Sequence, residues 1–171
     1  MTTPAESQWR RSDKFDLPSV ALADRHYNRQ KPGTSQFVRP ARSLVLRSSD
    51  GGALWVSIWP EFVQHAWPGS WECQIFRREH GDVVASEMIR HAVAHTCAEF
   101  GDAPATGMVT FIDPEKVRHK RDPGRCFLRA GFRKVGVTRR RKLIVLQMLP
   151  SSMPEPCAVP RDQLSFAGMP S

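Results

Sequence analysis

Four groups of side chains in this sequence have types and spacings that can do chemistry. The first is His26-Tyr27, where an imidazole that titrates near neutral pH stands beside the chain's one phenol. One of the two can take a proton while the other donates a hydrogen bond; a packed and capped helix end would hold the same pair. The second is Asp113, a carboxylate that closes an apolar stretch ahead of Pro114. It can accept from an amine or a base edge, or form an Asx turn. The third is Arg78-Glu-His80-Gly81-Asp82-Val83, followed by Ser86. A loop that feeds a helix start offers unpaired N–H groups and a positive dipole end to phosphate. An ordinary strand-to-helix turn would read the same way. The fourth is residues 114–142, where twelve Lys and Arg face two acidic residues. That excess of ten is larger than the +8 of the whole chain. Its natural partner is a polyanion, nucleic acid or a phosphate-rich cofactor, and a solvated face is the alternative.

Four further features carry less. Glu79 stands at the edge of the phosphate loop as a weaker candidate base. Cys126 falls in the first turns of a predicted helix, where thiol pKa values drop, though a core cysteine fits better. Glu87, His91 and His95 share one helix face, and two His at that spacing can chelate a metal, but a third and fourth ligand with partner spacing are not evident, so a solvated polar face is expected. Trp55, Trp59, Trp67 and Trp71 gather near Pro60 and Pro68; they can stack on a base or anchor core and loop.

These residues are positioned by a legible succession of elements. Pro18-Ser19 starts a short helix that reaches His26 and must end before Pro32-Gly33. Residues 44–46 and 53–59 form a β-hairpin around Asp50-Gly51, and 71–76 is a third strand. Residues 86–100 form the clearest helix. Its apolar positions Met88, Ile89, Ala92, Val93, Thr96, Cys97 and Phe100 recur at helical spacing, with Ser86 as N-cap and Gly101 as terminator. Residues 108–112 make a buried strand. Asp122-Pro123 opens a second helix that Gly131 ends, and 132–137 and 143–148 are the last strands. Residues 1–15 read as a flexible N-terminal segment, 16–149 as a single domain, and 150–171, with five prolines, as a tail or an extended arm.

The 171 residues suffice for one core, and 40% hydrophobic with 25% charged is a globular composition. No apolar run approaches a membrane span and no secretion signal is evident. Four widely spaced cysteines without a Cys-x-x-Cys pair argue against a disulfide framework or zinc ribbon, so a reducing cytoplasm is expected.

The order of elements, the Arg78 to Val83 loop, Phe127-Leu-Arg-Ala-Gly131-Phe132 and Thr110-Phe-Ile-Asp113 together resemble the GNAT acyltransferase superfamily. The loop is similar to the family's Arg-x-x-Gly-x-Gly/Ala pyrophosphate loop, with Val83 where a small residue is usual. Phe127-x-x-x-Gly131-Phe132 is similar to its Tyr-x-x-x-Gly-Phe. The resemblance covers residues 44–149. His26-Tyr27-Asn28, Phe111-x-Asp113-Pro114 and the Phe-x-x-Ala-Gly segment also look like the phage Mom-type branch, which modifies bases in DNA.

What the resemblance implies is an α+β, GNAT-like fold: one domain with a mixed, mostly antiparallel central sheet flanked by helices. Acetyl-CoA or a related donor would bind through Arg78, His80, Gly81, Asp82, Val83 and Ser86. His26, Tyr27 and Asp113 would serve catalysis, because Phe127 stands where the family has its acidic Tyr and has no proton to give. The acceptor would be a nucleobase or base-attached amine in DNA, gripped by Arg118, Lys120, Arg121 and Arg125. Arg139 to Lys142 would sit in a turn as solvated charge. An N-acetyltransferase for a small amine or protein, and a non-catalytic DNA-binding protein on this scaffold, are the alternatives.

Overall fold

The computed structural model describes residues 7–27, 29, 31–60, 66–117 and 123–160. Its elements are β1 (Trp9–Arg11), α1 (Leu17–Asp24), β2 (Arg42–Ser48), β3 (Ala53–Trp59), β4 (Trp71–Arg78), α2 (Ala85–Phe100), β5 (Met108–Ile112), α3 (Arg125–Ala130), β6 (Arg133–Val137) and β7 (Ile144–Met148). The strands form one sheet in the order β1-β2-β3-β4-β5-β7-β6. All neighbours are antiparallel except β4 and β5. That parallel pair requires a crossover, and α2 supplies it. The expected α+β fold is the one observed.

Local chemistry explains the turns. Between β2 and β3, Asp50 Oδ1 accepts from Ser48 Oγ at 2.7 Å and from the Gly52 N–H at 2.8 Å, while Gly51 takes φ 77°. Gly52 must lack a side chain, because a Cβ there would lie 2.3 Å from the His80 carbonyl oxygen. The helix α3 is shorter than its sequence pattern. Its N-cap is Gly124 in the left-handed region, and Pro123 lies in the preceding turn.

Two apolar layers cover the sheet. On one face α2 and α3 bury Trp55, Trp71, Ile89, Val93, Phe127 and Met148. On the other α1 and the 3₁₀ turn Ser35–Phe37 bury Val20, Leu22, Phe37, Val56, Ile58 and Ile75. A bulge divides β4 between them. Val56 pairs with Ile75 and Ser57 with Cys73, so Gln74 is one residue too many on its strand. The extra residue reverses the alternation of faces: Trp71 and Cys73 join the first layer, Ile75 joins the second, and Phe76 packs on the first.

Parts of both chain ends are held on the domain. Residues 1–15 are not all outside the fold. Trp9 is fully buried (0% exposed), its indole N–H donates to the Met88 carbonyl at 2.8 Å, and β1 pairs with β2. Residues 150–160 run along α2 and are held there. The Cys157 N–H donates to the Ala94 carbonyl at 3.1 Å, and Met153 and Val159 pack on the core. Residues 161–171 lie outside the described set. Among the described residues no helix is long and apolar enough to cross a membrane, and the four cysteines are free thiols.

Candidate active site

The strands β4 and β5 pair only at Trp71↔Met108 and Glu72↔Val109. Beyond the Gln74 bulge they part, and Thr110 Oγ1 donates to the Cys73 carbonyl at 3.0 Å at the point of divergence. The gap opens a cleft of about 510 Å³ on the α2/α3 face. Its floor holds Phe76, Val117 and Phe127, with Phe127 only 6% exposed and edge-on to Phe76 and Phe132. Its rim carries Arg77, Arg78, Arg125 and Arg129, and no carboxylate is among its described lining residues.

The start of α2 forms one wall of this cleft, through Val84, Ala85 and Ser86. Val84 is the N-cap and provides no side-chain cap, so Ser86 stands inside the helix instead of capping it. The first helical bond is donated by Met88 to the Val84 carbonyl at 3.1 Å. The N–H groups of Ala85, Ser86 and Glu87 therefore have no acceptor among the described residues. Unpaired N–H groups, a positive dipole end and three guanidinium groups outside any ion pair of the described residues (Arg78, Arg125 and Arg129, with Arg77 paired to Glu79) make a place for an anion.

Of the expected phosphate loop, Arg78 and Ser86 line the cleft, while His80, Gly81, Asp82 and Val83 do not. The loop turns away because the N–H groups of Glu79 and His80 both reach the Gly52 carbonyl, at 2.7 and 3.5 Å. Arg78 Nη2 then closes the loop on the Gly81 carbonyl at 2.7 Å. Val83 packs against the core. Glu79 is a counter-ion, clasped by Arg25 at 2.6 Å and Arg77 at 2.8 Å, and those two partners hold its carboxyl down to about 2.

His26 and Tyr27 line the same cleft, their rings stacked 4.4 Å apart. Tyr27 Oη donates to the Phe111 carbonyl at 3.5 Å. Burial pushes its phenol above the usual range, so it stays protonated. Cys126 is half-buried on the cleft wall.

A second cleft, about 1020 Å³, opens on the opposite, α1 face. Tyr27, Gln74 and Phe111 belong to both clefts, so the two meet through the gap between β4 and β5. Gln74 is fixed there by its own amide: Nε2 donates to the Phe37 carbonyl at 2.6 Å, and Oε1 accepts from the Arg39 N–H at 3.2 Å. Asp113 lines this second cleft, where Oδ1 accepts from the N–H of Glu115 at 3.0 Å and of Lys116 at 3.4 Å, an Asx-turn arrangement. Asp113 thus caps a turn while lining the second cleft, and it does not line the first.

The basic stretch divides differently from expectation. Arg118, Lys120 and Arg121 lie outside the described residues. Arg125 stands on the first cleft. Arg139, Arg140 and Arg141, expected as mere solvated charge, line the second cleft. Trp55 and Trp71 are buried core, and Trp59 packs edge-on to Trp71; Trp67 alone of the four reaches the second cleft, above Gly136. Of the helix-face trio, His95 is not solvated. It is 1% exposed, with Nδ1 donating to the Cys157 carbonyl at 2.6 Å and Nε2 accepting from Ser7 Oγ at 2.7 Å. Among the described residues no cluster of His, Cys, Asp or Glu could hold a metal ion.

No protein-family model matches the sequence, and no curated protein does. Solved structures do. AAC(6')-Ib in complex with ribostamycin and coenzyme A is similar over 86% of this chain and 96% of its own, at TM-score 0.60 and 14% identity. Two chimeras of the spermidine N-acetyltransferase SpeG from Vibrio cholerae and hSSAT are similar over 85% of this chain and 97% of theirs, both at TM-score 0.53, with 12% and 14% identity. The fold is the one these acetyltransferases share. The Mom-type likeness rests on the short motifs alone.

Proposed function

We propose that the chain is an N-acyltransferase that holds acetyl-CoA or a related acyl-CoA in the first cleft and acylates the amine of a small molecule presented from the second. One observation carries this reading. The cleft between the parting strands combines three unpaired N–H groups of α2 with four arginines, of which Arg77 is paired to Glu79, and no carboxylate among its described lining residues, in a fold shared with a coenzyme A-bound structure. A pyrophosphate suits such a cradle. When bound, the thioester supplies the acyl carbon, to which the amine nitrogen bonds as the C–S bond breaks.

The chain's own residues account for the rest. Tyr27, protonated and at the junction of the clefts, donates to the departing sulfur, the task Phe127 cannot perform. His26, stacked on Tyr27, takes the proton that the amine gives up. Gln74 and Phe111 fix the width of the opening, and Asp113 holds the turn on the acceptor side. An acceptor base in DNA draws no support from the similar structures, whose named substrates are small amines.

Calorimetry with acetyl-CoA, followed by thiol release over a panel of amines, tests the proposal. Micromolar binding and acceptor-dependent release of one thiol per acyl transferred are expected. Absence of acetyl-CoA binding by the folded protein refutes it and leaves a non-catalytic role for the scaffold.

A further inference from the structure

The charge of the second cleft is one-sided. Arg29, Lys31, Arg39, Lys116 and residues 139–141 line it, against Glu72 and Asp113. These seven cations come from three separated parts of the chain: the segment after α1, the turn after β5 and the β6–β7 turn. Their convergence on one concave surface is not what a solvated charge run produces. The carboxylates do little to offset them. Glu72 is 10% exposed and ion-paired with Arg39, while Asp113 is engaged by two backbone N–H groups. Arg29 is 5% exposed and ion-paired with Asp24 at 2.7 Å. No ion pair among the described residues involves Lys31, Lys116, Arg139, Arg140 or Arg141.

The arginine turn is built to stay where it is. The Thr138 N–H donates to the Leu143 carbonyl at 2.9 Å, and the Leu143 N–H returns to Thr138 Oγ1 at 3.0 Å. Lys142 takes φ 55°, a left-handed conformation that costs a non-glycine residue. The three exposed guanidinium groups are thereby displayed on a closed two-ended turn. Lys116 stands on the other side of the same mouth, its Nζ donating to the Tyr27 carbonyl at 3.3 Å. Lys116 therefore borders the point where the two clefts meet, and Arg141 is near enough to act on the Tyr27 phenol.

We propose that the acceptor is an amine that also carries a phosphate group, held by Arg139, Arg140, Arg141 and Lys116 while its amine enters the gap at Tyr27. This rests on the transferase reading and sharpens it. Guanidinium groups match phosphate in bidentate geometry, and ammonium groups add a point charge. The same field repels polycationic amines, so ribostamycin and spermidine, named for the similar structures, are poor acceptors here. A phosphate beside an amine occurs both in small phospho-amines and nucleotides and along a DNA strand, and these sources are separable.

The test uses the full chain saturated with coenzyme A, which occupies the first cleft. O-phosphoethanolamine, deoxyadenosine monophosphate, a short single-stranded oligodeoxynucleotide and spermidine are each titrated into it by calorimetry. At least one phosphate-bearing probe is expected to bind and spermidine is not. The R139Q/R140Q/R141Q variant, altered only at exposed positions, should weaken that probe about tenfold or more while coenzyme A affinity stays at the parent value. Tight binding of the oligodeoxynucleotide alone assigns the phosphate to a nucleic-acid strand, whereas binding of the small probes assigns it to a soluble acceptor. Phosphate binding that survives the triple substitution, or spermidine binding without phosphate binding, overturns the inference. Failure of coenzyme A to bind overturns the transferase reading, and the acceptor role with it, whatever the phosphates do.

Discussion

Replacing Ala85 by proline removes one hydrogen-bond donor from the first cleft while leaving α2 intact. Ala85 is the first helical residue, and its N–H has no acceptor within the protein. Proline is favoured at that position because its fixed φ matches the helix and the missing donor was an orphan. The residue before it must be extended, and Val84 already is, at φ −60° and ψ 139°. Stability should therefore be unchanged or raised by about 0.4–1 kcal/mol, chiefly through the unfolded chain. If a pyrophosphate oxygen sits on this N–H, the variant loses one charge-assisted bond worth roughly 1.5–3 kcal/mol. Coenzyme A affinity then falls about 10- to 150-fold. Calorimetry gives the affinity, and thermal unfolding confirms that the fold survived. A variant that melts with the parent and binds coenzyme A as tightly as the parent refutes the assignment of the pyrophosphate to this helix start.

Tyr27→Phe should slow thiol release with a working acceptor by about 100-fold, with coenzyme A affinity unchanged, because general-acid catalysis is typically of that size; transfer at the parental rate removes Tyr27 from the mechanism. Gly107→Ala should destabilise the fold by more than about 2 kcal/mol in urea titrations. Its backbone is left-handed, at φ 67°, and a Cβ would stand 2.0 Å from the Met148 carbonyl oxygen, which cannot move away without shifting β7. Stability should also fall as pH drops below about 6.5. Burial holds the His95 imidazole below its ordinary value, and its hydrogen bond to the Cys157 carbonyl opposes that only in part. Above about 6.5 neither state is protonated there, while between that pH and the lower folded value only the unfolded chain gains the proton. Urea midpoints measured across this window should slope downward toward acid, and His95→Gln should flatten the slope.

The strands and the main helix could be read from pattern because each satisfies one periodicity over its whole length. The hairpin around Asp50, the strand over 108–112 and the apolar stripe of α2 are found within one or two residues of expectation. What pattern could not show depends on distant partners. The three-residue β1 is too short to alternate, and Trp9 was its one signal. The Gln74 bulge leaves a trace only in the adjacent Ile75 and Phe76, two apolar residues where alternation allows one. Helical spacing alone puts His95 on an open side of α2, and the chain beyond residue 150 covers that side. Arg78, Ser86, His26 and Tyr27, which local spacing singles out, line one cleft. His80, Gly81, Asp82 and Val83 lie off the cleft because Gly52, nearly thirty positions earlier, holds the start of their loop, and local spacing carries no sign of that partner.

The opening between β4 and β5 makes the sheet a partition with a window in it. On the proposed reading the two reactants arrive from opposite sides of that partition and meet at Tyr27, Gln74 and Phe111. Neither has to leave for the other to enter, so transfer proceeds directly within a ternary complex and double-reciprocal plots should intersect instead of running parallel. The spent carrier can withdraw on its own side while the product withdraws on the other. Changes to the arginine turn can then retune which acceptor is chosen without touching how the donor is held.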